Sequence, residues 1–193
     1  MAVTVDMARM TTSQRARRDR VIDAAMELAA EGGYDAVQMR DVATKADVAL
    51  GTVYRYFGSK DHLLAASLTS WVELLYVRFA EHPSSKATAG ERVLDVLSRA
   101  LRALGSAPVL GAALFKSIAS PDPQVVACQQ QVISLLDAIV LHAIGEDPPA
   151  DVGNRARMIG HVWYSALTGW VAGWSSLERV ASELAVAVGL LLP

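Results

Sequence analysis

Residues 38–57 read Gln38-Met39-Arg40-Asp41-Val42-Ala43-Thr44-Lys45-Ala46-Asp47-Val48-Ala49-Leu50-Gly51-Thr52-Val53-Tyr54-Arg55-Tyr56-Phe57. Val42, Ala43, Val48, Val53 and Phe57 are placed to form one small core shared by two short helices. Asp47 sits where the chain must turn between them. Glycine commonly fills such a position, and Asp is among the few other residues that tolerate positive φ. The spacing predicts helices over about 39–46 and 50–56, the second too brief and too polar to be a core element. A helix-turn-helix has this form, because its second helix enters the major groove while the first braces it. Duplex DNA is therefore the first partner that the residues imply.

The pattern stays helical on both sides of this stretch. Thr11, with Gln14 three residues later, has the form of a capping box. Val21, Ala25, Leu28 and Ala29 then mark one face of a first helix, which Gly32-Gly33 ends. Ser59 can cap a fourth helix that carries Leu63, Leu64, Leu68, Trp71, Leu74 and Leu75 towards about 80. Breaks at His82-Pro83-Ser84-Ser85, Gly105-Ser106-Ala107-Pro108, Ser120-Pro121-Asp122-Pro123 and Gly145-Glu146-Asp147-Pro148-Pro149 separate the later segments. Five more helices are expected at about 88–104, 108–118, 122–143, 150–174 and 177–191. No stretch sustains period-two alternation, so the expected fold class is all-α with about nine helices. Residues 1–60 form the N-terminal arm and a three-helix DNA-binding domain in this reading. Residues 61–193 form a helical ligand-binding and dimerisation domain.

The whole-chain properties narrow the partners. Net charge is −2, but residues 1–20 hold Arg9, Arg15, Arg17, Arg18 and Arg20 against Asp6 and Asp19. The stretch 61–193 carries an acidic excess instead. A basic end on an acidic body suits a module that meets phosphate with one end only, although a solvated arm has the same composition. Hydrophobic residues make up 52% of the 193. Counted with glycine, that exceeds the ~45–50% of ordinary domains and points to a buried subunit interface, a ligand cavity, or both. The single Cys128 precludes an internal disulfide and fits a reducing cytoplasm. No signal peptide is visible, and the uncharged stretch 158–177 has too many polar and Gly residues to face lipid, so no membrane partner is expected.

Catalytic and metal chemistry find no constellation. The four His lack ligand spacing, Cys128 has no CxxC partner, and no nucleophile elbow or phosphate-cradling glycine loop occurs. The chain is not expected to be an enzyme, and no cofactor or metal is implied. Leu50, Gly51, Thr52, Tyr54 and Arg55 project from the third helix, with basic Arg40 and Lys60 beside it. Gly51 weakens so short a helix, which suggests close backbone approach to a partner; a plain connector is the alternative.

Residues 12–64 resemble the DNA-binding region of TetR-family transcriptional regulators, and the run Gly51-Thr52-Val53-Tyr54-Arg55-Tyr56-Phe57-Gly58-Ser59-Lys60 carries the likeness. The resemblance implies that Arg40 reaches a base or phosphate, and that Thr52 and Tyr54 contact bases or backbone. Tyr56 and Lys60 would hold phosphates. Arg17 and Arg18, within Arg15-to-Arg20, would sit beside the flanking minor groove or backbone, and Gln38 is counted with the DNA-facing set. The chain departs from the family pattern at Gln38, Asp47 and Ala49, which replace a Thr cap, a turn Gly and a polar cap. Segments 33–40 and 49–57 are also similar to the actinobacterial regulators of cholesterol and ketosteroid catabolism, whose inducer is a steroid-derived coenzyme A thioester.

The function so implied is a homodimeric, ligand-responsive repressor on a pseudo-palindromic operator, released by a large apolar effector. An activator would use the same contacts. A helical small-molecule-binding or interaction protein with a weakened DNA head is the rival from another class. Trp163, Trp170 and Trp174 share one face of a helix, and Leu177, Val180, Leu184 and Val188 make a stripe on the next. These are expected at an antiparallel four-helix dimer interface; ordinary core and ligand contact remain alternatives. Trp71, Leu75, Leu101, Phe115, Leu135, Ile139, Tyr164 and Leu167 are the candidate pocket lining, with His142 and His161 as polar groups.

Overall fold

The computed structural model describes residues 10–145 and 150–192, which contain nine helices and no strand. α1 spans Thr12–Ala36 and starts at the expected capping box, with Thr11 and Gln14 exchanging side-chain-to-backbone bonds of 3.2 and 2.8 Å. Its regular course breaks at Gly32 and at Gly33, whose φ of 71° lies in the left-handed region. The chain then resumes one further turn. α2 (Met39–Lys45) and α3 (Leu50–Tyr56) start without side-chain caps, at Gln38 and Ala49. The Gln38 amide instead donates to the Asp35 carbonyl at 3.1 Å. Asp47 takes the turn with φ 51°. Val37, Val42, Val53 and Phe57 are sealed into the small core that the turn closes.

α4 (Lys60–Glu81), α5 (Ala89–Ser106), α6 (Pro108–Ser117), α7 (Pro123–Ile144), α8 (Val152–Val171) and α9 (Leu177–Leu191) complete the order. The chain divides into two compact units. The first takes in the described residues up to Ser70 together with Ala107–Gln130, so α6 packs along α1. The second comprises Trp71–Ser106 and the described residues from Gln131 onwards. α4 and α7 each contribute residues to both. These two helices are also long and apolar enough to cross a membrane by length and composition, unlike the 158–177 stretch.

Within the second unit, α9 packs on α8 and α5. Val180, Leu184 and Val188, four residues apart, form its buried stripe, and Trp163 is buried on α8. Of the readings open for these four residues, interface or ordinary core, their burial within the protomer supports core. A helix of this amphipathicity first needs its own protomer's core to bury its apolar face. Leu177 and Trp170 are half-buried, and Trp174 is 69% exposed with its indole lying across Gly169.

Arg92 near the start of α5 fastens the end of α7. Its Nε donates to the Ala143 carbonyl at 2.9 Å, and its other nitrogens reach the Ile144 and Ala87 carbonyls, the latter at 2.9 Å. Carbonyls that the helix leaves orphaned are thereby satisfied. One residue pair limits how closely α5 and α9 approach: a Cβ on buried Gly90 would stand 2.5 Å from the Leu192 carbonyl oxygen. Backbone cannot yield as a side-chain tip does. Gly90→Ala is therefore expected to lower unfolding stability by about 1–3 kcal/mol, read as a reduced urea midpoint with unchanged slope.

Candidate functional site

The DNA-facing candidates divide by exposure. Tyr54 is 52% exposed on α3 and Arg55 is exposed beside it, while Leu50 and Thr52 are half-buried on the same helix. A Cβ on Gly51 would meet nothing within 4 Å, so the bare residue leaves the first turn of α3 open to close approach. Arg40 and Gln38 are exposed at the start of α2, and Arg17 is exposed on α1, where it donates to Ser13 Oγ at 3.1 Å. Lys45, by contrast, is held by Glu27 at 3.0 Å and Glu31 at 3.3 Å.

Two candidates turn inward. Tyr56 is only 7% exposed, and its hydroxyl is buried with no hydrogen-bond partner among the described residues. It follows Val53 by three positions and precedes Phe57, so helical rotation turns it towards the core of the head. Arg18 is half-buried, with its guanidinium carbon 5.3 Å from the Phe57 ring centroid and a 3.9 Å approach to Asp19. In this conformation Arg18 packs against Phe57. Arg20 likewise serves the head, donating to the Ala46 carbonyl at 3.3 Å and tying α1 to the end of α2.

His62 is a residue that sequence reading passed over, because a lone His in Ser-Lys-Asp-His carries no pattern. Its Nδ1 accepts the Gly58 backbone N–H at 3.2 Å, and its ring meets Phe57 edge-on with centroids 5.4 Å apart. Burial pushes its pKa below the ordinary value, and nearby Arg18 pushes the same way, against the opposing pull of Asp122. The unfolded chain therefore binds a proton at a pH where the folded chain does not. The neutral ring's stabilisation is fully present above about pH 6.5 and is lost as pH falls towards the depressed folded value. Stability measured by denaturant should drop as pH falls below about 6.5, and His62→Gln should flatten that part of the profile.

The second unit holds a cavity of about 240 Å³ lined by Tyr76, Phe79, Pro83, Ser84, Arg92, Val96, Ile139, His142 and Ala143. Of the eight expected pocket residues only Ile139 lines it. Leu75, Leu101 and Leu167 are buried core, Trp71 and Leu135 are half-buried, and Tyr164 is 41% exposed. Phe115 belongs to the first unit. His142 was a candidate polar group and is at the wall; Tyr76, Phe79 and Val96 were missed, although Tyr76 and Phe79 share one face of α4 by their spacing. The cavity is smaller than the ~300–1,000 Å³ of full ligand sites. No group of His, Cys, Asp and Glu suited to a metal occurs among the described residues.

Comparison with known proteins identifies the family. Residues 21–67 match the model of bacterial regulatory proteins of the tetR family, and residues 87–191 match a tetracyclin repressor-like C-terminal domain. The chain is 39% identical to the HTH-type transcriptional repressor KstR of Rhodococcus jostii, over 94% of this chain and 85% of that one. It is 35% identical to the repressor of the same name in Mycobacterium tuberculosis, over 100% and 88%. A crystal structure of a TetR transcriptional regulator from Rhodococcus sp. RHA1 superposes with a TM-score of 0.83 at 32% identity, covering 93% of this chain and 97% of that one. An all-helical chain with an exposed recognition helix, matched along both halves by these proteins, belongs to the TetR family of transcriptional regulators.

Proposed function

We propose that this protein is a homodimeric, ligand-responsive transcriptional repressor that binds a pseudo-palindromic operator. The observation that carries the reading is the outward set Tyr54 and Arg55 on α3, next to bare Gly51 and half-exposed Thr52, with Arg40 on the adjoining helix. Such a surface offers a donor-rich ridge of major-groove width with no bulky obstruction at its first turn. The similar KstR proteins are named as repressors, which favours repression over activation. Residues 1–60 act as the DNA-binding part and 61–193 as the regulatory part in this reading, and the protein works in the cytoplasm on the nucleoid.

Dimerisation uses apolar side chains that are exposed on the second unit of the protomer. On α8 these include Met158, and on α9 Val186 and Leu190, the last 78% exposed. These lie on the same two helices that the sequence singles out, and on α9 they are on the opposite side from the buried stripe. Trp174, exposed at the corner between them, belongs to this set.

A gel shift with the region upstream of the protein's own gene tests the DNA-binding reading. Specific retention at physiological salt is expected, and its absence sinks the proposal. Arg40→Ala should weaken specific binding by about 1–3 kcal/mol, read as a higher protein concentration at half-saturation, with the thermal midpoint unchanged.

The effector is a large apolar molecule, and the resemblance to steroid-catabolic regulators favours a steroid-derived coenzyme A thioester. Its apolar end would occupy the cavity between Tyr76, Phe79 and Val96, with His142 as a polar contact. A cholestenoyl-type coenzyme A thioester should raise the thermal midpoint and release the protein from its operator. Failure of both effects removes the steroid assignment while leaving DNA binding intact.

A further inference from the structure

Tyr34 lies beyond the Gly32-Gly33 break in the last turn of α1, and groups from two other helices converge on it. Its hydroxyl donates to the Asp61 carboxylate. The Lys60 ammonium, at the first residue of α4, stands 4.0 Å from the ring centroid and donates to the Tyr34 carbonyl at 3.2 Å. A second ammonium, that of Lys116 in the last turn of α6, stands 4.5 Å from the same centroid. Lys116 is exposed, and among the described residues neither lysine has a carboxylate within ion-pair distance.

Electrostatics make this arrangement incomplete as it stands. Two like charges lie no farther apart than the two ring distances together, so they repel each other across a single aromatic side chain. The ring quadrupole attracts each of them weakly at an exposed site. Burial, with the hydrogen bond to Asp61, pushes the Tyr34 hydroxyl up to about 12, so the ring itself stays neutral at any working pH. Asp61 is engaged by the Tyr34 hydroxyl and forms an ion pair with neither ammonium among the described residues. An anion entering beside both would convert the repulsion into two attractions.

The resemblance already assigns Lys60 to a backbone phosphate of the operator. We propose that Lys116 is a second phosphate-contacting residue, supplied from α6, which joins Lys60 in a two-cation clamp positioned by the Tyr34 ring. The clamp rests on the DNA-binding reading above and adds a contact from outside the helix-turn-helix. Its reason lies in the tertiary packing of α6 on α1, which brings residue 116 beside residue 34 within one compact unit. Both lysines need only a change of rotamer to exchange the ring for a phosphate oxygen, since their stems are long and flexible.

Salt dependence separates this role from simple packing. Each phosphate neutralised contributes about −0.9 to the slope of log K against log salt on duplex DNA. Binding of the full chain to its upstream duplex, and to a scrambled duplex of equal length, is measured between 50 and 200 mM salt. Lys116→Gln should make the slope shallower by about 0.9, so the loss of affinity across that range shrinks about 3.5-fold. Lys116→Arg should restore it, and Lys60→Gln with Lys116→Gln should remove about 1.8. A Lys116→Gln slope equal to wild type, with Lys60→Gln still lowering it, would overturn the clamp and leave Lys116 as a packing residue on Tyr34. Absence of any specific binding by the wild type would instead refute the operator reading, and the scrambled duplex would still report on Lys116.

Discussion

The seating of Phe57 at the end of the recognition helix is the constraint on which the DNA head depends. Its ring is 1% exposed, with the Arg18 guanidinium over one side and His62 edge-on at another. The adjoining Gly58 N–H is held by His62 Nδ1. α3 has seven residues and no side-chain cap, far below the length at which a helix persists by its own propensity. Its orientation therefore comes from what clamps its ends. At the C-terminal end that clamp is a buried aromatic ring fixed by α1 and α4, and at the other it is the Asp47 turn. A helix so held can leave Tyr54 and Arg55 exposed on its outer face for a partner.

The same logic explains which basic residues remain available. Arg18, Arg20 and Lys45 each answer a group within the head: a ring, a carbonyl and a pair of carboxylates. Charge counted along the sequence treats them alike with Arg17 and Arg40, and with Arg55, which is exposed although its guanidinium carbon stands 5.3 Å from the Tyr56 ring centroid. Three-dimensional packing separates them, since an arginine on the inward side of α1 finds π and carbonyl partners before it finds phosphate. The basic terminus is thus partly an internal brace. Its net charge still biases approach to DNA over longer distances.

Much of the fold was legible because its signals are local. The Thr11–Gln14 box, the Gly32-Gly33 break, the Asp47 turn and the Pro- and Gly-rich separators each act within a few residues, and they set helix ends close to those observed. The faces of the helices were legible too, by their spacing of three and four. What covers a face was not. Val180, Leu184 and Val188 have the periodicity of any buried stripe, and that periodicity is the same for a neighbouring α5 as for a second subunit. The cavity escaped for a related reason: Tyr76, Phe79, Val96 and His142 come from three helices whose mutual register is a tertiary property. A buried hydroxyl such as that of Tyr56 is likewise invisible to motif matching, which records residue type and not rotamer.

Control by an effector must then arise from differences in free energy between two conformations, not from proximity of the effector to DNA. A ligand in the cavity touches residues of α4, α5 and α7 that belong to the second unit, and none of the exposed residues of α3. α4 and α7 are nonetheless covalently continuous with segments of the first unit, and α4 begins at Lys60, immediately after the Phe57–Gly58 seat. A ligand that binds one placement of α4 better than another shifts the population by that differential affinity and no more. A coupling of about 1–3 kcal/mol changes operator affinity by roughly 5–150-fold. That scale is within reach of a few phosphate interactions formed or broken at the start of α4. If Lys60, the first residue of the helix whose farther half lines the cavity, holds a phosphate as proposed, DNA affinity becomes sensitive to small movements of that helix end, while the Phe57 seat braces the recognition helix separately.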